Sequence, residues 1–365
     1  FYNWNETADG YTVIKDTHTK FWTYAQKENS GRLVSSGYPA GKRLPLGLTK
    51  SLKDDVKMTG ASKKIQEFNS SLSKTYAGVQ KISAATPDLN KTVAAKGTRT
   101  NLVVLVQFSD LKFQDSRPFN ASSTETQIRD EFYKLFNTAG YTQDGAVGSV
   151  KDFFSEISYG QLTMNSVITP IVTLDYSYRQ YGEGGTTKDS RDMVLEALAK
   201  LEAGGYNFKS VWPSSDEPEG LTFIHAGGGA EYSGNDPYYI WSHQWQLQTP
   251  VTYDGITFSL YHTEPARRGW DDLLSTQGLT RIGVLCHESM HFFGMPDLYD
   301  YTYTSAGLGK FCLMAGGSWN GTSSSNAGNS PAHPSAWIKY KLEWIIPQTP
   351  SEGINTIGTS ATSSS

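Results

Sequence analysis

The stretch CHESMHFFGMPDLYD, from Cys286 to Asp300, constrains this 365-residue chain more than any other. His287 and His291 are four residues apart, and Glu288 directly follows the first. On a helix, side chains at i and i+4 lie on one face, one above the other. Glu288 is rotated by about 100° from His287, so it faces the space beside the two imidazoles rather than joining them. Gly294 predicts a helix end with a left-handed cap, after which the chain can turn back beneath the histidines.

Two imidazoles so placed can share one zinc ion, and the intervening glutamate can take a proton from a water held there. A third ligand is required. No glutamate occurs between Glu288 and Glu343, so a carboxylate from a following helix is a poor choice. Asp297 lies ten residues after His287, where the extended zinc signature carries a histidine, and a carboxylate oxygen binds zinc at a similar distance. Asp300 is a rival and His333 a more distant one. The plain alternative is a helix with two structural histidines.

Further on stands KFCLMAGGSWNG, residues 310–321. Taken alone it is a core methionine before a tight glycine turn. After a helix–glycine–carboxylate motif it also fits a methionine turn, with Met314 forming the apolar floor of the site.

Composition excludes other classes. The net charge is −4 and no Lys/Arg cluster suggests a face for phosphates, which argues against nucleic acid as partner. No apolar run approaches the ~18 residues needed to cross a bilayer, and the first residues, FYNWNETADG, do not read as a signal peptide. Abundant Ser and Thr lean towards an extracellular protein, with weak support from Asn-x-Ser/Thr sites at Asn5, Asn69, Asn90, Asn120 and Asn320.

At roughly 100–200 residues per domain the length suggests two units. Residues 1–38 read as a small β-unit, with YTVIKD and KFWTYAQ as strands. Residues 49–82 are polar and loosely helical. Residues 84–100 read as a linker, and its Lys91, Lys96 and Arg99 offer cuts to a trypsin-like enzyme. Beyond it, 101–110 is a buried strand, 122–137 and 147–162 are helices, TMNSVITPIVTL is a strand, 190–204 is a helix, and LTFIHAGGGAEY is a strand running into glycines. The alternation predicts a mixed α/β layer. The tail after residue 350 reads as frayed.

HESMHFFGMPDLYD together with CLMAGGSWNG resembles the immune inhibitor A-type metallopeptidases, secreted zincins of the metzincin-like kind. FYNWNETADGYTVIKD resembles the start of that family's propeptide, NLVVLVQFSD its first catalytic strand, and FIHAGGGAEYSG with IWSHQW a segment ahead of the zinc helix. The resemblance runs from residue 1 to about 346. It implies an α+β fold: a zincin-like metallopeptidase domain with a mixed twisted sheet, an active-site helix and a Met-turn, preceded by a small prodomain. The implied division is 1–97 prodomain with linker, 98–350 catalytic domain and 351–365 flexible tail.

The resemblance further implies a secreted zinc endopeptidase drawn as its zymogen. Zinc would be held by His287, His291 and Asp297, with Glu288 as general base and the prodomain as inhibitor. Substrates would be proteins or peptides, and a monomer is expected. Calcium is a further candidate ion, although no dense carboxylate loop stands out. A silent zincin-like binding module and another zinc amide hydrolase are the alternatives. Some metzincins carry a tyrosine two residues after the turn methionine, and here that position is Gly316. His225, His243, Tyr299 and Tyr301 are therefore candidates for the oxyanion helper.

Cys286 adjoins the first histidine and Cys312 sits two residues before Met314. A disulfide between them suits a secreted protein and is the favoured reading, ahead of two buried thiols. No cysteine occurs in residues 1–100, so a prodomain cysteine cannot block the metal. Asp54, Asp55 or the GKRLPLGL segment are candidates for that role. Substrate is expected as an added strand along a sheet edge. Gly227, Gly228 and Gly229 mark the expected edge, because glycines let another backbone approach closely.

Overall fold

Leu102 to Val106 are fully buried, five side chains in a row. A strand points successive side chains to opposite faces, so such a run needs apolar cover on both sides. The computed structural model supplies it. It describes residues 4–6, 11–15, 22–27, 33–39 and 49, and then 93–347 apart from 116, 183–187, 233–237, 270–277, 302–304 and 324–325. The chain divides into two compact units, Phe1–Glu67 and Phe68–Ser365.

The first unit carries a four-stranded antiparallel sheet in sequential order: β1 (Trp4–Glu6), β2 (Thr12–Lys15), β3 (Trp22–Lys27) and β4 (Leu33–Pro39). Val13, Tyr24, Ala25 and Leu33 are its buried apolar residues. The two strands expected there are β2 and β3. The helical pattern over 49–82 lies outside the described residues, apart from Thr49. Asp54, Asp55, GKRLPLGL and the tail also lie outside them.

The second unit is built on a five-stranded sheet. Its strands are β5 (Gly97–Gln107), β6 (Leu162–Thr173), β7 (Leu221–His225), β8 (His243–Tyr253) and β9 (Ile256–Pro265). The order is β6-β5-β7-β9-β8; the first four are parallel and β8 runs antiparallel along one edge. Four helices cover one face or end of the sheet's core: α1 (Glu125–Asn137), α2 (Val150–Ile157), and, later in the chain, two more that share that core. α3 (Ser190–Ala203) covers the other face. α4 (Ile282–His291) and α5 (Ala336–Lys341) complete the set. Val103, Leu105 and Ile224 pack with Phe132, Phe154 and Leu285 on the first side. Leu102, Val104 and Phe223 pack with Met193, Val194 and Leu198 of α3 on the second.

The helices start where short polar side chains can cap them. Thr124, Ser149 and Asp189 each form a capping box with the residue three positions on, which satisfies backbone N–H groups that have no partner inside the helix. The expected helical face of Ile128, Phe132, Leu135 and Phe136 is the buried face of α1.

Two expectations change. The linker reading does not hold for its last residues. Val93 N–H donates to Phe292 O at 3.3 Å, Trp344 Nε1 donates to Ala95 O at 2.6 Å, and from Gly97 the chain is strand β5. A pattern rich in small and polar residues reads as loop, yet it is strapped down by partners remote in sequence. The second change is the sheet edge. Strand β7, which leads into Gly227–Gly229, is flanked by β5 and β9, so it is interior. The free edge beside it belongs to β8, joined to β9 through Asp254 and Gly255, both at positive φ (51° and 76°). Such two-residue turns match the twist of the strands they join.

Candidate metal centre

Helix α4 buries most of its circumference, including His287 and Glu288. A helix of that kind needs close neighbours on every side. Gly283 provides one such approach: a Cβ there would run into the carbonyl of Ser318. Gly294, at φ +74°, ends the helix as expected, and the chain turns through Met295 and Pro296 to Asp297.

The two histidines are fixed by backbone carbonyls. His287 Nδ1 is 2.8 Å from Leu313 O, and His291 Nδ1 is 2.7 Å from Met295 O. A carbonyl only accepts, so both Nδ1 atoms carry the proton and both Nε2 atoms are left for a ligand. Both Nε2 atoms converge on Asp297 Oδ1, at 2.9 Å from His287 and 3.5 Å from His291. Tyr301 OH donates to the other oxygen, Oδ2, at 2.9 Å.

Three atoms that each present a lone pair cannot gather at such distances without a positive charge among them. A proton can take that part. Burial pushes His287 down, but the Asp297 hydrogen bond and the Glu288 and Asp297 charges outweigh it and lift the imidazole to about 9. His291 is raised as well, against burial, chiefly by Asp297. Burial pushes Asp297 up, but the His291 charge and the hydrogen bonds from both histidines hold it well below the usual carboxylate range. A divalent cation would satisfy the same donors, and two imidazole nitrogens with one carboxylate oxygen suit zinc. Among the described residues, His287, Glu288 and His291 are the one group of metal-ligating side chains drawn together within 4.8 Å.

Glu288 points beside this cluster, with Oε2 3.8 Å from His291 Nε2. Burial raises its pKa, while the two imidazoles oppose the rise. The backbone N–H of Gln244, near the start of β8, also opposes the rise.

The segment around Met314 touches both ends of the motif. Leu313 O holds His287, and Met314 O accepts from Leu298 N–H at 2.6 Å, one residue after Asp297. Met314 is fully buried in the same core cluster as Cys286 and Met290.

Other expected residues fall elsewhere. Asp300 accepts from Ser305 N–H, and His333 sits between Glu156 and Lys339. His225 is buried and stacked on Tyr178, and His243 bonds to Trp241 O, Ser190 and Tyr261. Tyr299 lies 6.4 Å from His287, ring centre to ring centre, at an interplanar angle of 18°. Gly227, Gly228 and Gly229 are buried, and side chains there would meet Leu111, Gly269 and Glu231. They make room for neighbours inside the protein rather than for an incoming strand. Cys286 and Cys312 are free buried thiols, not the expected disulfide. Cys312 Sγ instead accepts from Ser335 N–H, and burial pushes the Cys286 thiol up.

Sequence reasoning missed Gln244 and the buried pair His262–Glu264. The signal for the first was available: a Tyr-Asp-Gly-Ile turn between alternating runs marks a hairpin. The pair gave no local signal, because it is defined by strand pairing.

Residues 214–345 match the family model described as the immune inhibitor A peptidase M6 catalytic domain. Immune inhibitor A of Bacillus thuringiensis subsp. alesti is 27% identical over 257 residues, covering 60% of this chain and 36% of that protein. The pre-pro-metalloprotease PrtV of Vibrio cholerae is 25% identical over 283 residues, covering 69% of this chain and 30% of that protein. The chain thus spans about a third of the length of the relatives it matches. The resemblance to the immune inhibitor A peptidases, carried by HESMHFFGMPDLYD and CLMAGGSWNG, is borne out: residues 214–345 match that family's catalytic-domain model.

Proposed function

We propose that the chain is a secreted zinc endopeptidase carried with an N-terminal prodomain as a zymogen. The observation that carries this reading is the convergence of His287 Nε2, His291 Nε2 and Asp297 Oδ1, with Glu288 turned beside them. The catalytic-domain match covers all four residues. The name pre-pro-metalloprotease, given to a relative, agrees with a removable leader and prodomain.

His287, His291 and Asp297 would hold zinc, which supplies a water acidified towards neutral pH and polarises a peptide carbonyl. Glu288 takes the proton of the attacking water at its carboxylate and later gives it to the leaving amine. Burial raises its pKa, which suits a group that must both take and give a proton. Peptide substrate lies along β8, whose outer side has no strand partner among the described residues. The catalytic unit is taken as residues 98–350 with the short strap from Val93.

Casein hydrolysis tests the reading. The full chain and Glu288→Ala are assayed before and after limited trypsin treatment, with and without a zinc chelator, and zinc content is measured throughout. Activity is expected only in nicked wild type and lost with the chelator, while Glu288→Ala still carries zinc. Undiminished turnover in Glu288→Ala would remove Glu288 as the base. Stoichiometric zinc with no cleavage by either chain would favour a silent binding module.

A further inference from the structure

We propose that Tyr301 is a positioning residue that makes Asp297 a one-oxygen ligand; the inference rests on the zinc-site reading above. A carboxylate can offer a metal one oxygen or two. In Asp297 the two oxygens have separate surroundings. Oδ1 faces both imidazole Nε2 atoms, whereas Oδ2 accepts the Tyr301 hydroxyl at 2.9 Å. An oxygen whose lone pair is held by a phenol is a poor second ligand. The hydrogen bond therefore fixes which oxygen looks inward and keeps the other from competing for a coordination position. A catalytic zinc site needs three protein donors and one position kept open for water or substrate. Tyr301 preserves that count.

The hydroxyl is itself held by aromatic packing. The Tyr301 ring meets Tyr299 edge-on, with centres 5.1 Å apart and an interplanar angle of 66°. Tyr299 in turn lies nearly parallel to the ring of His287. The path His287–Tyr299–Tyr301–Asp297 begins and ends on metal-facing residues. It fixes the carboxylate relative to an imidazole through side chains alone. From sequence Tyr301 is one of four candidates for an oxyanion helper, but its hydroxyl is engaged with the Asp297 carboxylate instead.

The test uses the full chain and Tyr301→Phe, which deletes one oxygen from a partly exposed side chain. Zinc affinity is measured by competition with a chromophoric chelator, and coordination by the visible absorption of the cobalt(II) forms. Thermal unfolding of the metal-free proteins checks the fold. Loss of this outer partner is expected to weaken zinc binding about 10- to 100-fold. The cobalt absorption should fall as Oδ2 enters and the site passes from four ligands towards five. Metal-free unfolding should coincide in the two proteins. Equal affinity and equal spectra would overturn the proposal, and a loss of turnover alone would assign the hydroxyl to the reacting substrate instead. A destabilised metal-free variant would make Tyr301 a fold residue and also overturn it. A wild type that binds neither metal would fail the zinc-site reading itself, a distinct result.

Discussion

His287 donates through Nδ1 to the carbonyl of Leu313, 26 residues further along the chain and directly before Met314. The next carbonyl, Met314 O, holds the N–H that follows Asp297. One short turn thus fixes the first and third proposed ligands through consecutive backbone groups. Met314→Ala leaves these carbonyls in place but opens a cavity beneath them. A loss of about 2–5 kcal/mol of stability is expected, with weakened zinc binding. Denaturant unfolding and chelator competition check it; unchanged stability would show that Met314 is not a floor.

Glu264 lies 2.7 Å from His262 Nδ1, and both are fully buried. Ser289 Oγ donates to Leu285 O and Thr222 Oγ1 donates to Asn101 Oδ1, so His262 Nε2 is the donor to both hydroxyl oxygens, at 2.7 Å to Thr222 and 3.3 Å to Ser289. Burial holds the imidazole neutral, pushing it down to about 3. Nδ1 then carries no proton, and the carboxyl of Glu264 must donate. Burial, with the charges of Glu288 and Glu231, raises that carboxyl well above its ordinary range. The folded protein therefore keeps a proton that the unfolded chain releases once pH passes the usual carboxyl value. By linkage, this group's contribution to stability declines as pH rises above that value. Glu264→Gln can donate without titrating. Its stability relative to wild type should improve from pH 5 to pH 8. Parallel curves would show an ionised Glu264.

Lys96 pairs with Glu343, and Arg99 bonds to Ala94 O and Glu219 within β5. A protease needs an extended, accessible segment, which neither position offers. Limited trypsin treatment should therefore give a stable fragment beginning before Val93, with Lys91 the nearest basic residue upstream. Mass spectrometry of the fragment decides this, and a dominant start at Gly97 or Thr100 would contradict it.

Cys286 and Cys312 should both react with an alkylating reagent after unfolding without reductant, and neither should react in the folded protein. Burial raises the Cys286 thiol and lowers its thiolate fraction. Reductant should leave the thermal midpoint unchanged. Absence of alkylation in the unfolded, unreduced chain would restore the disulfide.

The gathering of the side chains around Asp297 was legible because its information is local. His287, Glu288, His291, Gly294 and Asp297 follow one helix and one turn, and the structure brings them together at that spacing. The helices α1 and α3 were legible for the same reason, through caps and apolar period. The substrate edge was not. Whether β7 or β8 lies at a border depends on strand order, which no single segment encodes. The Tyr301–Asp297 bond was half legible: the residue stood out, but its partner depended on how the chain folds back after Gly294.

The contacts between Met314 O and Leu298 N–H, and between Leu313 O and His287, also bear on the order of assembly. A nascent chain that has reached Asp297 already possesses every proposed ligand, yet the carbonyls that hold His287 and the N–H after Asp297 arrive only with the segment ending at Met314. Metal capture would then be a late event, reporting that this closure has succeeded. A chain stalled before Leu313 would carry the motif in full and retain its metal poorly, so the ion would serve as a checkpoint on maturation as well as a reagent.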